Sequence, residues 1–264
     1  MNFRGKVVVI TGASSGIGRQ LSTDLALHGA KLALIARRKE KLEETQRLLG
    51  NAESNIYICD VSDADKVQKT IVKILNDFKA VDILVNNAGF NVQGEFEKVP
   101  IKEINEIMSV NYNGAVNLIK AILPSMLKNR HGRIINVSSV SGLEGVPNSA
   151  AYSASKFALI GLSESLYFEL RNKGVHVSVF CPARTRTEFF TNNPSYQNTS
   201  YANGKMKMMD VKFVSRAILK SIGKKEFMTV VPLQAKYRIR LKNFLPGCYM
   251  WIKRKILEKR LYKL

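Results

Sequence analysis

The sequence predicts a doubly wound α/β fold: a seven-stranded parallel sheet with helices on both faces. Two observations lead to it. Short apolar runs alternate with segments of helical period along the 264 residues, the pattern of repeated β-α units around a sheet buried on both sides. The first of these runs also passes directly through a glycine-rich turn into a helical face.

In chain order, strands are expected at Val7 to Thr11, Leu32 to Ala36, Asn55 to Cys59, Asp82 to Asn86, Arg133 to Val137, Val175 to Phe180, and Met228 to Val231. Between them, Ile17, Leu21 and Leu25 mark one helical face, and apolar positions from Ile104 to Ile122 mark a longer one within a helix read from Ile101 to Lys128. Ser62 followed by Asp65 reads as a capping box that opens a helix running to Phe78. No internal repeat, low-complexity linker or abrupt boundary interrupts the series, so residues 1–264 read as a single domain.

Composition is that of a globular chain, with 45% hydrophobic residues, 17 Gly and 7 Pro. Cys59, Cys181 and Cys248 form neither an even framework nor a Cys-x-x-Cys pair, which indicates neither disulfides nor a metal site. No leader-like segment precedes the first strand, and no apolar run approaches the roughly 20 residues that span a bilayer. A cytoplasmic protein is expected. The formal charge of +20 implies attraction to something anionic. That excess is concentrated after Lys205, where basic residues greatly outnumber Asp210, Glu226 and Glu258.

The first strand ends in Thr11-Gly12-Ala13-Ser14-Ser15-Gly16-Ile17-Gly18. Glycines at a strand-to-helix turn let backbone approach a pyrophosphate, and the helix amides stabilise its charge. The turn is therefore read as a Rossmann-type nucleotide site, with Gly12, Ser14, Ser15, Gly16, Ile17 and Gly18 as its cradle. At the end of the second strand, Ala36-Arg37-Arg38 offers no acid for adenosine ribose hydroxyls but two guanidiniums for a 2′-phosphate. The expected cofactor is NADP(H), with Arg37 favoured over Arg38 as the phosphate ligand.

Tyr152 and Lys156 are four residues apart, so both lie on one helical face. A cation beside a phenol favours the phenolate and makes it usable in proton transfer. The spacing recurs in Tyr201 with Lys205 and in Tyr249 with Lys253. Only Tyr152 has an apolar strand ending in Ser138-Ser139 just upstream.

These motifs together closely resemble the short-chain dehydrogenase/reductase family. They are Thr11-Gly12-x-x-x-Gly16-x-Gly18, Asp60-Val61, Asn86-Asn87-Ala88-Gly89, Asn111, Ser139, Tyr152-x-x-x-Lys156 and the segment Pro182 to Thr187. The resemblance covers roughly Asn2 to Phe190. It implies that Ser139 orients a carbonyl oxygen, Tyr152 carries its proton, Lys156 binds the nicotinamide ribose, and Asn111 holds a water in the proton relay. It further implies that Asp60 and Val61 meet adenine, that Asn87, Ala88 and Gly89 lie along the adenosine side, and that Pro182, Thr185 and Thr187 lie near the nicotinamide. Ala183 stands where similar proteins have glycine, and a locally altered geometry is expected there. Similar proteins pair the helices ending at Lys128 and following Tyr152 across a two-fold axis, so a homodimer or homotetramer is implied.

Residues 184–209 are rich in Asn, Pro and Ser and read as a substrate-covering loop. Together with Val92 to Glu97 and Leu143 to Asn148 this loop is expected to wall a pocket for a hydrophobic carbonyl substrate. Residues 233–264 read as a basic amphipathic extension, with Tyr249, Ile252 and Ile256 on one face and Leu257 and Leu261 adjoining it. Such a helix either lies on anionic membrane or packs on its own domain. The leading reading is an NADPH-dependent reductase of hydrophobic or lipid-like carbonyls. Rivals are a 3-oxoacyl thioester reductase and a non-catalytic nucleotide-fold protein that uses its basic surface. No nucleic-acid-binding module is recognised.

Overall fold

In the computed structural model, which describes residues 3–191, 194–196 and 208–261, the strands are β1 (Val7–Thr11), β2 (Lys31–Ala36), β3 (Ser54–Ile58), β4 (Ile83–Asn86), β5 (Gly132–Val137), β6 (Val175–Pro182) and β7 (Met228–Val231). They form one all-parallel sheet in the order β3-β2-β1-β4-β5-β6-β7. The helices are α1 (Gly16–Leu27), α2 (Lys39–Leu48), α3 (Ala64–Phe78), α4 (Ile101–Met108), α5 (Gly114–Lys128), α6 (Ala150–Leu170), α7 (Glu188–Thr191), α8 (Val211–Ile222), α9 (Leu233–Phe244) and α10 (Pro246–Leu261).

Alternation along β1 sends side chains to both faces. Val8 and Ile10 pack with Leu21 and Leu25 of α1 and Ile218 of α8, while Val7 and Val9 pack with Ile71 and Ile74 of α3 and Leu118 of α5. Strand order reverses between β1 and β4, which opens a crevice at the carboxyl ends of the strands. Every loop considered below lies along that edge.

Three local expectations change. The N-cap of α3 is Asp63, whose carboxylate accepts from the Lys66 amide at 3.0 Å. Ser62 is drawn away from that role because its amide and hydroxyl both donate to Asp60 Oδ1. The helix read from Ile101 to Lys128 is interrupted by a π-helical turn at Ser109–Asn113, the turn that carries Asn111. Such turns insert one extra residue and re-aim the side chains around them. The C-terminal extension forms two helices, and Tyr249 on the expected lipid face is 4% exposed.

Candidate active site

The glycine turn leaves β1 in a conformation that side chains resist. Gly12 and Gly16 have φ of +66° and +52°. A Cβ at Gly18 would stand 2.3 Å from the Gly12 carbonyl oxygen, and one at Gly12 would stand 2.9 Å from Asn87 Nδ2. The absent side chains let β1 and the loop after β4 close together. Thr11 and Asn87 fix that approach: Thr11 Oγ1 accepts from the amides of Asn87 and Ala88, and Asn87 Nδ2 donates to Thr11 O at 2.9 Å.

The turn forms one end of a cavity of about 640 Å³. Of the expected site residues, Gly12, Ser14, Ser15, Gly16, Ile17, Arg37, Arg38, Asp60, Val61, Asn87, Ala88, Gly89, Ser139, Tyr152, Lys156, Pro182, Thr185 and Thr187 all line it. Gly18 and Asn111 stand behind the wall. Arg38 Nη2 donates to the hydroxyls of Ser14 and Ser15 at 3.2 and 3.1 Å, whereas Arg37 lies 3.5 Å from Asp60. Arg38, rather than Arg37, is thus the guanidinium that reaches the turn. The Thr187 side chain lies across Gly16, where an added Cβ would meet it at 3.1 Å. Ala183 causes no strain, since its φ lies outside the left-handed range, and it packs against Val140, Ala235 and Ile239.

Ser139 caps a single 3₁₀ turn after β5, its hydroxyl accepting from the Ser141 amide at 3.1 Å. Tyr152 and Lys156 project from the first turns of α6, with the ammonium 5.7 Å from the phenol ring centre. Lys156 Nζ donates to Val137 O at 2.9 Å. Burial pushes the Tyr152 phenol up to about 12, against the opposing pull of a hydrogen bond with Ser139. Burial also lowers Lys156 to about 8. Desolvation thus opposes the pull that a neighbouring cation exerts on the phenol. Asn111 accepts from the Phe90 amide and donates to Phe90 O and Ser155 Oγ, each at 2.9 to 3.0 Å. It thereby anchors the Gly89-Phe90 turn beside Lys156.

Beyond Tyr152 the cavity becomes aromatic. Phe189 lies 5.8 Å from the Tyr152 ring, Phe190 5.0 Å from Phe189, and Tyr196 5.1 Å from Phe190. Tyr196 is fixed by Asn91, which donates to its hydroxyl at 2.6 Å, and Ser195 accepts from the Gln93 amide. Residues 194–196 of the expected covering loop thus close on the loop after β4. Its residues 192–193 and 197–207 lie outside the described residues.

Glu144 lines this cavity within the expected Leu143 to Asn148 wall, but the sequence reading missed Arg238, which lines it too, and the ion pair between them. Glu144, 7% exposed, takes both forks of Arg238 at 2.5 and 3.2 Å and the Tyr249 hydroxyl at 2.5 Å. Lys253 and Lys242 donate to the carbonyls of Gly145 and Leu143. The extension therefore packs on its own fold. A buried carboxylate faced by several cations is a signal that appears only when residues 94 to 109 positions apart meet.

The parallel sheet, the glycine turn and the Tyr152-Lys156 pair on the cavity wall define a protein of the nucleotide-dependent oxidoreductase type, and comparison with known proteins agrees. Residues 6–198 match the family described as short chain dehydrogenase. The chain is 35% identical over 271 residues to the dehydrogenase/reductase SDR family protein 7-like of Anopheles gambiae, covering 98% of this chain and 85% of that one. A short chain dehydrogenase/reductase of Burkholderia phymatum in complex with NAD superposes with a TM-score of 0.83 at 28% identity, over 92% of this chain and 94% of that one. A metagenomic short-chain oxidoreductase in complex with NADP gives a TM-score of 0.74 at 29% identity, over 87% and 97% of the two chains. This chain belongs to the short-chain dehydrogenase family of oxidoreductases.

Proposed function

We propose that the protein is an NADP(H)-dependent reductase that converts a hydrophobic, lipid-like ketone or aldehyde reversibly to its alcohol. The observation that carries this reading is the place of Tyr152. It sits where the glycine-walled and aromatic-walled halves of one cavity meet, with Ser139 and Lys156 beside it.

The residues present fit a dinucleotide, because the glycine turn holds open a cradle that side chains would fill. Gly12, Gly16 and Gly18, with Ser14, Ser15 and Ile17, would hold the pyrophosphate. Arg38, reinforced by Arg37, would pair with the 2′-phosphate. Asp60 and Val61 would meet adenine, Asn87, Ala88 and Gly89 the adenosine side, Lys156 the ribose, and Pro182, Thr185 and Thr187 the nicotinamide end. When bound, the cofactor supplies the hydride.

Ser139 donates a hydrogen bond to the substrate carbonyl oxygen and sets its distance from Tyr152. The neutral phenol then passes its proton to that oxygen as the carbonyl carbon accepts the hydride, and Lys156 stabilises the phenolate left behind. In the oxidative direction each transfer reverses. Asn111 acts by holding the Gly89-Phe90 turn. The wall of Phe189, Phe190 and Tyr196 suits a bulky apolar ketone better than a slender acyl thioester.

The test is turnover of purified protein with NADPH and NADH across a panel of ketones graded by hydrophobicity. Activity restricted to hydrophobic carbonyls with NADPH is expected. Inactivity on the whole panel overturns the reading.

We further read the protein as a homo-oligomer of the cytoplasm, in part attached to a membrane surface. The outward stripe of α6, with Phe157 and Phe168 exposed, supports subunit pairing. Among the described residues no helix is long and apolar enough to cross a membrane.

A further inference from the structure

Most of the face of the C-terminal extension expected to meet lipid is spent on the protein itself, although Ile256 stays 46% exposed. Tyr249 is buried against Glu144, and Ile252 and Leu257 are partly covered. A different apolar surface is left open. Leu233, Tyr237 and Phe244 follow one another at four and seven residues, so they share one side of α9. Leu245, Met250 and Trp251, at the turn into α10 and in its first residues, are exposed as well, and Met250 also lines a groove with Phe157 of α6. These six side chains are between 57% and 80% exposed.

Charge identifies the partner. Lys236 and Arg240 stand on α9 beside this stripe, and among the described residues neither has an acidic partner within salt-bridge reach. A second copy of the same face would bring these cations against each other, which argues against self-pairing here. Large apolar and aromatic side chains flanked by cations match the chemistry of an anionic bilayer, where rings and alkyl groups enter the interface and the cations meet headgroup phosphates.

We propose that the outer side of α9 and the α9–α10 turn dock on an anionic lipid bilayer. The inner side of the same helix carries Arg238, which lines the substrate cavity and grips Glu144. Docking would therefore set the Glu144-Arg238 wall of the cavity on the side that faces the lipid phase, from which a hydrophobic substrate partitions. This rests on the reductase reading only for its purpose, since binding to lipid is measured without turnover.

The experiment is co-sedimentation of the full chain with vesicles of phosphatidylcholine alone or mixed with phosphatidylserine, at low and high salt. Two variants accompany it, Tyr237→Ser combined with Phe244→Ser, and Arg240→Glu alone. Wild type should bind the phosphatidylserine vesicles at least tenfold better than phosphatidylcholine, and less as salt rises. Both variants should lose most of that binding while keeping wild-type turnover, without vesicles, of a hydrophobic ketone held below its solubility limit. Absence of wild-type binding at low salt overturns the proposal, as does undiminished binding by the variants. A fall in oligomeric mass in the double variant would instead make the face a subunit contact and also overturn it. If the double variant fails to fold, Arg240→Glu alone decides. Failure of the reductase reading would appear separately, as inactivity on ketones in the absence of lipid.

Discussion

The phenol of Tyr249 donates a 2.5 Å hydrogen bond to the carboxylate of Glu144, a residue 105 positions earlier in the chain. This bond, with the Arg238 fork, ties the C-terminal helices to the fold and sets Arg238 of α9 into the cavity wall. Glu144 lies five residues after Ser139, so under the proposed function its set would govern how a carbonyl meets Ser139 and Tyr152.

Glu144→Gln should therefore raise the substrate KM several-fold while leaving NADPH affinity unchanged. Stability should fall by about 1–2 kcal/mol, less than for a fully buried pair because Arg238 is half exposed. Steady-state kinetics, cofactor titration and thermal melting check the three parts. An unchanged KM would show that the clasp does not shape the cavity.

Tyr152→Phe should lower turnover by about 10²–10⁴-fold, the usual worth of a positioned proton donor, with cofactor binding nearly intact. Lys156→Ala should impair both, because its ammonium is proposed to hold the ribose as well as the phenolate. Parallel measurements of kcat and NADPH affinity separate the two outcomes.

The pH dependence follows from the two burial effects. Lys156, lowered to about 8, keeps its charge below that pH and loses it above, whereas Tyr152, raised to about 12, stays protonated throughout. Carbonyl reduction should be level through neutral pH and decline across pH 8. Alcohol oxidation, which needs the phenol to give up its proton, should climb with pH. Rate profiles in both directions test this, and reduction that increases steadily from pH 7 to 10 would contradict it.

Arg38→Glu should weaken NADPH binding by about 10- to 100-fold, the loss of one charge-assisted contact of roughly 1.5–3 kcal/mol. Arg37→Glu should cost less, because Arg37 already leans on Asp60. Affinity for NADH should change little in either variant. Equal wild-type affinity for NADH and NADPH would remove the basis of this prediction.

Strand positions and the motifs that line the cavity were legible because their signals are local. Apolar runs placed all seven strands within one or two residues of their ends, and the glycine turn, Ser139 and the Tyr152-Lys156 pair sit on contiguous motifs. Local signals also misled. The Ser62 cap failed because Asp60 competes for the same hydroxyl, and the π-helical turn at Asn111 leaves no mark in apolar spacing.

By itself, then, the sequence determined the fold class, the glycine turn and the placing of Tyr152 and Lys156 on one helical face, since backbone freedom at glycine and side-chain spacing on one helix depend on neighbours in the chain. Tertiary structure alone decided three other things: that Arg38 reaches the glycine turn, that Phe189, Phe190 and Tyr196 wall the cavity, and that Glu144 binds the C-terminal helices. Each depends on which side chains meet across a fold and on how much water their packing removes. That same packing pushes the Tyr152 phenol up, against the direction in which a neighbouring cation acts.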